Sequence, residues 1–371
     1  MLWCAVVMAA GIAIGLNYPL PYYLPLLVAS IIACTLLRKS RHWHEVLTLV
    51  VWLLLGCSRA ALCPVDEAKP AFSSALGQKA MAVQTALAGR LQEAGLSPRT
   101  LVLSKALVLG QKDGLRRETR QAYANVGASH LLAMSGMHLG IIYMVLYFLF
   151  IHWIRFGQWR WFALPPVLLL LWGYVWMTGM PVTLMRAALM LTILTIMLFM
   201  QYNTDPLHPL ALSAIIILLI KPTELLSISF QLSFAAVFFI VALWRPLSDK
   251  FPSLHWTIRL LGVSCVATLG TMPITLYYFH QLPLPGPLLS IILIPMTTVI
   301  IWLALAVMLM PIEPFAWLLN HAEALQQKII ELAGSIPGVL LTDIYLDKTV
   351  VALMYGAMII AIIRLRTREP A

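Results

Sequence analysis

Residues 288–310 read LLSIILIPMTTVIIWLALAVMLM, from Leu288 to Met310 without a charged side chain. A helix needs about 20 predominantly apolar residues to span the roughly 30 Å hydrocarbon core of a bilayer. This stretch meets that requirement. Working outward, the runs 2–16, 20–37, 46–62, 131–151, 162–178, 185–200, 207–220, 230–244, 260–272 and 349–363 repeat the pattern, several at less than a comfortable spanning length. Together they predict an all-α polytopic membrane protein, a bundle of about ten or eleven transmembrane helices. Pro and Gly interrupt many runs, as in Leu207-His208-Pro209 and Thr271-Met272-Pro273. Freed backbone at membrane depth must face protein or a wet cavity, so some helices are expected to be broken or re-entrant.

Composition agrees. Of 371 residues, 61% are apolar and 11% charged, against about 45–50% and about 25% in a soluble domain. The mean hydropathy is +0.88. These values exclude a soluble globular enzyme and a disordered chain. The net charge of +10 has two readings. Basic residues are retained on the cytoplasmic side of membranes, and a basic surface attracts polyanions; composition does not separate them. Cys4, Cys34, Cys57, Cys63 and Cys265 show no metal-ligand spacing and mostly read as small hydrophobes inside apolar runs. No metal or cofactor is expected. Met1 leads straight into an apolar run with no basic start or clear cleavage site, so the first span is expected to stay as the insertion signal.

Two segments differ. Residues 76–93 set Leu76, Ala80, Val83, Leu87 and Leu91 on one helical face, and 315–332 set Phe315, Leu318, Ala322, Leu325, Ile329 and Leu332 three and four apart. Glu323, Gln327, Lys328 and Glu331 fall on the other side of the second. Both read either as amphipathic helices lying in the membrane interface or as helices of a small extramembrane cap. The chain then divides into N-terminal transmembrane helices (1–62), an extramembrane segment with an amphipathic helix (63–99), a channel-type transmembrane domain (100–310) and an amphipathic helix, final span and basic tail (311–371). Orientation is only partly legible. Arg38, Lys39 and Arg41, Arg155 and Arg160, Arg245 and Lys250, and Arg364, Arg366 and Arg368 all favour the cytoplasmic face, and eleven simple crossings cannot place every cluster there.

Groups able to do chemistry are sparse. Asp113, Glu118, Asp205, Glu224, Asp249, Glu313, Glu323, Glu331, Asp343 and Asp347 fall in connections or interfacial segments, which argues against a pump driven through an intramembrane carboxylate. In His130-Leu131-Leu132-Ala133-Met134-Ser135-Gly136-Met137-His138-Leu139-Gly140, Ser135 and His138 are three apart and share a helical face. The pair invites a hydrolase reading, but no carboxylate or Asn nearby in sequence orients the histidine. A polar cavity wall, or close helix packing at Gly136 and Gly140, fits better. Arg186, at the start of an apolar run, either snorkels to the surface or faces a wet path where it meets phosphate. Ser227, Ser229, Gln231 and Ser233 either bond between helices or line a pore, and Thr268, Thr271 and Thr275 extend that choice. Tyr277, Tyr278 and His280 belong to an interfacial belt or stack bases. Lys112, Arg116, Arg117 and Arg120 form a solvated helix start or a basic funnel at a channel mouth.

These residues together resemble the competence domain of the ComEC-type DNA-uptake channel family. The likeness begins at Ala106-Leu107-Val108-Leu109-Gly110 and the basic turn. It continues through Gly127-Ala128-Ser129-His130 to His138, through Arg186-Ala187, and through Ser229-Phe230-Gln231-Leu232-Ser233-Phe234-Ala235. It closes at Thr271-Met272-Pro273 and Pro283-Leu284-Pro285-Gly286-Pro287. The resemblance implies an inner-membrane channel that carries single-stranded DNA into the cytoplasm during natural transformation, and no catalytic residue. It implies a DNA path lined by His130, Ser135, Gly136, His138, Arg186, Ser229, Gln231, Ser233 and Thr271, with Lys112, Arg116, Arg117 and Arg120 at its mouth. The implied partners are single-stranded DNA, membrane lipid, a DNA-receptor protein and a cytoplasmic helicase motor; homo-oligomers fit the same reading. Fuller members carry an OB-type domain after the third span, where only 63–75 stand here, and often a terminal metallo-β-lactamase-like domain. Capture or strand degradation by those domains is expected from elsewhere. Ser290 stands near the place of a family Asn.

Physics favours a conduit over an enzyme. Moving a bare ion into hydrocarbon costs tens of kcal/mol on an ideal Born estimate. A phosphate chain therefore crosses only through a wet, polar-lined path about 30 Å long, with few enough basic groups that transit is not arrested. No phosphate-binding Gly-x-x-x-x-Gly-Lys-Ser/Thr motif is present, so the motor is a partner. Two rivals are a transporter or flippase of another anionic substrate and, less favoured, an intramembrane serine hydrolase built on Ser135 and His138.

Overall fold

The computed structural model describes every residue except 19, 21, 37–40, 63–74, 112, 133, 153–159, 201–204, 252, 337 and 368–371. Lys112 of the basic mouth lies outside the described residues, as do Cys63, Arg38, Lys39, Arg155 and Arg368. In chain order the helices are α1 (Leu2–Asn17), α2 (Tyr23–Leu36), α3 (Arg41–Ala61), α4 (Ala75–Glu93), α5 (Pro98–Ser104), α6 (Arg117–Asn125), α7 (Ser129–Leu132), α8 (Gly136–Leu146), α9 (Arg160–Met177), α10 (Val182–Phe199), α11 (Leu207–Ile220), α12 (Ile228–Phe239), α13 (Arg245–Asp249), α14 (Trp256–Phe279), α15 (Gly286–Leu309), α16 (Glu313–Gly334) and α17 (Lys348–Thr367). Wider π-type turns extend α5, α8 and α12. The strands β1 (Leu282–Pro283) and β2 (Leu340–Leu341) form an antiparallel ribbon.

Each apolar run falls on one of these helices. Among the described residues, five are long and apolar enough to cross a bilayer: His44–Ala61, Val182–Phe199, Ile228–Asp249, Trp256–Phe279 and Gly286–Leu309. Leu2–Asn17, Tyr23–Thr35, Gly136–Phe150, Phe162–Met177 and Leu207–Ile220 are apolar but shorter. The chain is thus an all-α, multi-pass membrane protein.

The expected breaks need correction. Pro209 sits in the first turn of α11, where a missing N–H has no carbonyl to serve, and the helix runs on unbroken. Pro273 lies inside a continuous α14. Proline disturbs the preceding turn, and that turn is braced: Tyr355 Oη donates to Gly270 O at 2.9 Å and Thr271 Oγ1 to Ala267 O at 2.9 Å. A break instead separates α7 from α8, with no proline in it.

The chain forms two compact units. The first takes Met1–Ala68 and Thr192–Phe234. Its core joins Met8 and Ile12 of α1, Ala60 of α3, Ala211, Ile215 and Leu218 of α11, and Phe230. Small residues bring α1 and α3 into backbone contact. A Cβ on Gly11 would strike the Leu53 carbonyl, one on Gly56 the Met8 carbonyl, and one on Gly15 would lie 2.5 Å from Cys57 O. Without a hydrophobic force between helices in lipid, such close packing supplies much of their association. Arg59 caps the C-terminus of α11, donating to Leu219 O at 2.7 Å and Ile220 O at 2.9 Å, where the helix dipole favours a cation.

The second unit takes Lys69–Leu191 and Ala235–Ala371. Its largest core joins α4, α5, α6, α15 and α16 through Leu91, Leu107, Tyr123, Val126, Ile300, Ala304, Leu319 and Ile330. The amphipathic segments do form helices, with Ala80, Leu87 and Leu91 of α4 and Phe315, Ala322 and Ile329 of α16 set against the core as the spacing expects, and other expected residues turned outward. In α4 the buried residues are Ala80, Gln84, Ala88 and Leu91, and Val83 is exposed. In α16 the buried residues are Ala316, Leu319, Glu323, Gln326, Gln327 and Ile330, while Leu318, Leu325 and Leu332 point outward. The polar side of α16 packs because its groups find partners. Gln326 Nε2 donates to Tyr123 Oη at 3.2 Å and Thr297 Oγ1 at 3.1 Å, and Glu323 pairs with Arg99 at 3.2 Å.

Gly56→Leu is expected to destabilise the protein by about 1–3 kcal/mol through overpacking, read as a lower unfolding temperature in detergent. Gly89→Ala, with no atom within 4 Å of the added methyl, should leave that temperature unchanged or raise it.

Candidate functional site

The break between α7 and α8 gathers segments that lie far apart in the chain. Met134 is buried. Its carbonyl accepts from Thr183 Oγ1 on α10 at 2.9 Å. Its sulfur sits 2.5 Å from where a Cβ on Gly110 would stand. Gly110 has φ +75°, so glycine there answers both a left-handed backbone and a close approach. Tyr174 Oη of α9 donates to Val108 O at 2.9 Å. Gly127, at φ +76°, packs against the second turn quoted from sequence: a Cβ there would meet Pro283 Cγ at 2.9 Å and Gly286 Cα at 3.0 Å. Gly136 faces Ala187 with a Cβ approach of 3.1 Å, while nothing lies within 4 Å of Gly140. Of the two glycines read as packing positions, Gly136 is one and Gly140 is not.

Ser135 and His138 touch, but not across a helical face. Ser135 is the N-cap of α8, in extended backbone. His138 Nδ1 lies 3.0 Å from Ser135 Oγ and accepts the Ser135 N–H at 3.4 Å. An acceptor at Nδ1 places the proton of a neutral imidazole on Nε2. His138 is fully buried, and the Leu131 backbone lies beside its ring as a hydrogen-bond partner. The contact resembles a capping box with histidine in the usual Glu/Gln role. Neither ring nitrogen bonds a carboxylate among the described residues, so the orienting third group of a nucleophilic triad is missing.

Arg186 is buried, 2% exposed, which excludes snorkelling. Its neighbours Leu184 and Ala188 pack with Met134 and Leu139. His130 is exposed, with Nδ1 3.1 Å from Gly127 O. Gly136 thus meets Ala187 and Met134 meets Thr183, which sets the Ser135–His138 cap against the start of α10, the helix that carries Arg186.

Ser229, Gln231 and Ser233 belong to the first unit. Ser229 is exposed and Ser233 half-buried. Gln231 Nε2 donates to Leu225 O at 3.0 Å, and Ser227 Oγ donates to Glu224 Oε2 at 3.1 Å. Those groups brace the turn before α12 in the first unit. Thr271 bonds its own helix. At the basic mouth, Arg116 is the N-cap of α6, with Arg117 and Arg120 exposed on its first turns. Sequence reasoning missed Gly110 and Gly127 as contacts of the break, and missed Thr183 and Tyr174; only the isolated glycines gave any signal.

The class defined by this architecture is a multi-pass helical membrane protein with a helix break at which distant segments of the second unit meet. A family model described as Competence protein matches residues 107–369, and the chain belongs to that family. It is 33% identical over 204 residues to ComE operon protein 3 of Bacillus subtilis, covering 55% of this chain and 25% of that protein. It is 27% identical over 273 residues to Recombination protein 2 of Haemophilus influenzae, covering 67% and 32%. An uncharacterized protein, YcaI, of Escherichia coli is 26% identical over 208 residues, covering 52% and 27%. The chain thus spans a quarter to a third of the length of these relatives. No solved structure matches.

Ser135→Ala removes the N-cap of α8 and is expected to cost about 0.5–2 kcal/mol, seen as a lower unfolding temperature. A serine-directed fluorophosphonate should label the unaltered chain no more than the Ser135→Ala variant.

Proposed function

We propose that the chain is the membrane-embedded conduit of a DNA-uptake system, passing single-stranded DNA across the inner membrane into the cytoplasm during natural transformation. The observation that carries this reading is the convergence at the α7–α8 break. Three segments bearing the family likeness, at 106–110, 127–138 and 186–187, meet there through the contacts of Gly110 with Met134 and of Gly136 with Ala187. Membership of the Competence family supports it, and so do the names of the relatives from Bacillus subtilis and Haemophilus influenzae.

The chemistry of the break suits a phosphate chain. A guanidinium is the side chain that best matches phosphate. A single buried cation is few enough that a strand is not held fast. Because His138 and Arg186 are closed off from the surface, conduction in this account requires α7 and α8 to separate. Arg117 and Arg120, exposed on α6, gather the strand by long-range attraction. Movement is driven by a partner helicase, and strand delivery by a receptor protein. The rival reading, a transporter of another anionic substrate, uses the same site.

Deleting the protein should abolish entry of labelled DNA into the cytosol while leaving surface binding intact; unchanged transformation would contradict the proposal. Arg186→Ala should slow uptake at normal protein level, with Arg186→Lys retaining more activity. Purified protein should bind labelled single-stranded oligonucleotide with an affinity that falls steeply with salt. Binding that ignores salt, or that favours a small anion over the oligonucleotide, supports the rival.

A further inference from the structure

We infer that α16 is a membrane-crossing helix, with its polar face turned into the protein and its apolar stripe against lipid acyl chains. The first observation is the ribbon. After α15 the chain reverses at Met310–Ile312 and α16 runs back beside it. Thr297, near the middle of α15, bonds Gln326, near the middle of α16. Beyond α16, β2 pairs with β1, Leu282 opposite Leu341 and Pro283 opposite Leu340. Leu284 N donates to Val339 O at 2.9 Å and Ile344 N to His280 O at 3.1 Å. The residues after α16 therefore stand at the end where α15 begins. If α15, with 24 residues, crosses the bilayer, the chain must recross to reach them. The 22 residues of α16 rise about 33 Å at 1.5 Å each, enough for the hydrocarbon core.

The second observation is the face α16 leaves uncovered. Trp317, Leu318, Leu325, Leu332 and Ile336 are exposed at 61%, 45%, 55%, 72% and 57%. A helix in water turns such a stripe inward. Here Glu323 and Gln326 are buried beside Ala316, Leu319, Ile330 and Ala333, partnered by Arg99, Tyr123 and Thr297, and Gln327 Nε2 donates to Glu331, while the polar groups on the uncovered face are His321, Lys328 and Glu331. Lipid on the outside and hydrogen bonds on the inside is the arrangement hydrocarbon imposes.

The third observation is charge. α17 runs antiparallel to α14: Tyr355 reaches Gly270, and Ile362 packs with Phe239, Ala242 and Val266. Arg364 thus lies toward the end that carries Arg245, Lys250 and Arg259. The ribbon end carries Asp343, Asp347 and Lys348. With α16 as an added crossing, Arg364 falls on the same face as Arg245 and Lys250, as the retention of basic residues demands. Without it Arg364 falls on the opposite face. The inference stands whatever the chain transports.

Ser335→Cys, Glu313→Cys and Lys250→Cys, each at an exposed position of the otherwise unaltered chain, separate the alternatives. A membrane-impermeant maleimide is applied to intact cells and to inverted vesicles, and labelled peptides are read by mass spectrometry, so native cysteines stay in place. Ser335→Cys should label only in cells, Glu313→Cys and Lys250→Cys only in inverted vesicles. Labelling of Ser335→Cys and Glu313→Cys from the same face overturns the crossing. A fluorophore on Leu325→Cys should be quenched by nitroxides deep in the acyl chains. Quenching by aqueous iodide overturns the lipid-facing stripe in favour of an interfacial or cap helix. Quenching by neither overturns it in favour of a second copy of the chain covering the face.

Discussion

Hydrocarbon offers no hydrogen-bond partner, and every polar group at membrane depth must find one within the protein. That constraint organises the second unit. Gln326 serves Tyr123 and Thr297, Glu323 holds Arg99, and Tyr355 serves the backbone near Pro273. The same constraint makes the α7–α8 break informative. Backbone there leaves the helix, and its groups are taken up by Thr183 and by the Ser135–His138 cap. His138, fully buried, spends one ring nitrogen on that cap.

The sequence runs gave the helices well because a spanning helix needs only length and apolarity, both of which are local. They gave much of the α4 face, where Ala80 and Leu91 are buried and Leu87 packs on the core, but only half of the α16 face, where Phe315, Ala322 and Ile329 pack inward while Leu318, Leu325 and Leu332 point out. They did not give the break. Proline at Pro209 and Pro273 looked disruptive, yet one sits where its missing N–H costs nothing and the other where neighbours brace the turn. The contact of α1 with α3 was more legible than it looked, since Gly11 and Gly15 stand four apart on one face, the spacing that lets helix backbones meet.

The candidate site was legible in part. Ser135, His138 and Arg186 are polar groups in apolar surroundings, and local pattern finds those. The approach of α8 to α10 depends on Gly136 against Ala187 and on Thr183 against Met134, and no local pattern reports that. The cluster at Ser229, Gln231 and Ser233 shows the converse. It reads as a lining, yet Gln231 is committed to Leu225 O, a capping role that spacing alone does not distinguish from a pore.

The central claim is that an incoming strand passes the α7–α8 break. A photo-crosslinking amino acid placed at Met134 or Ala187, with Leu169 on the lipid-exposed face of α9 as control, tests it in cells during uptake of labelled DNA. The account predicts DNA crosslinks at 134 and 187 and none at 169. Uptake that proceeds normally with no crosslink at either position would contradict it.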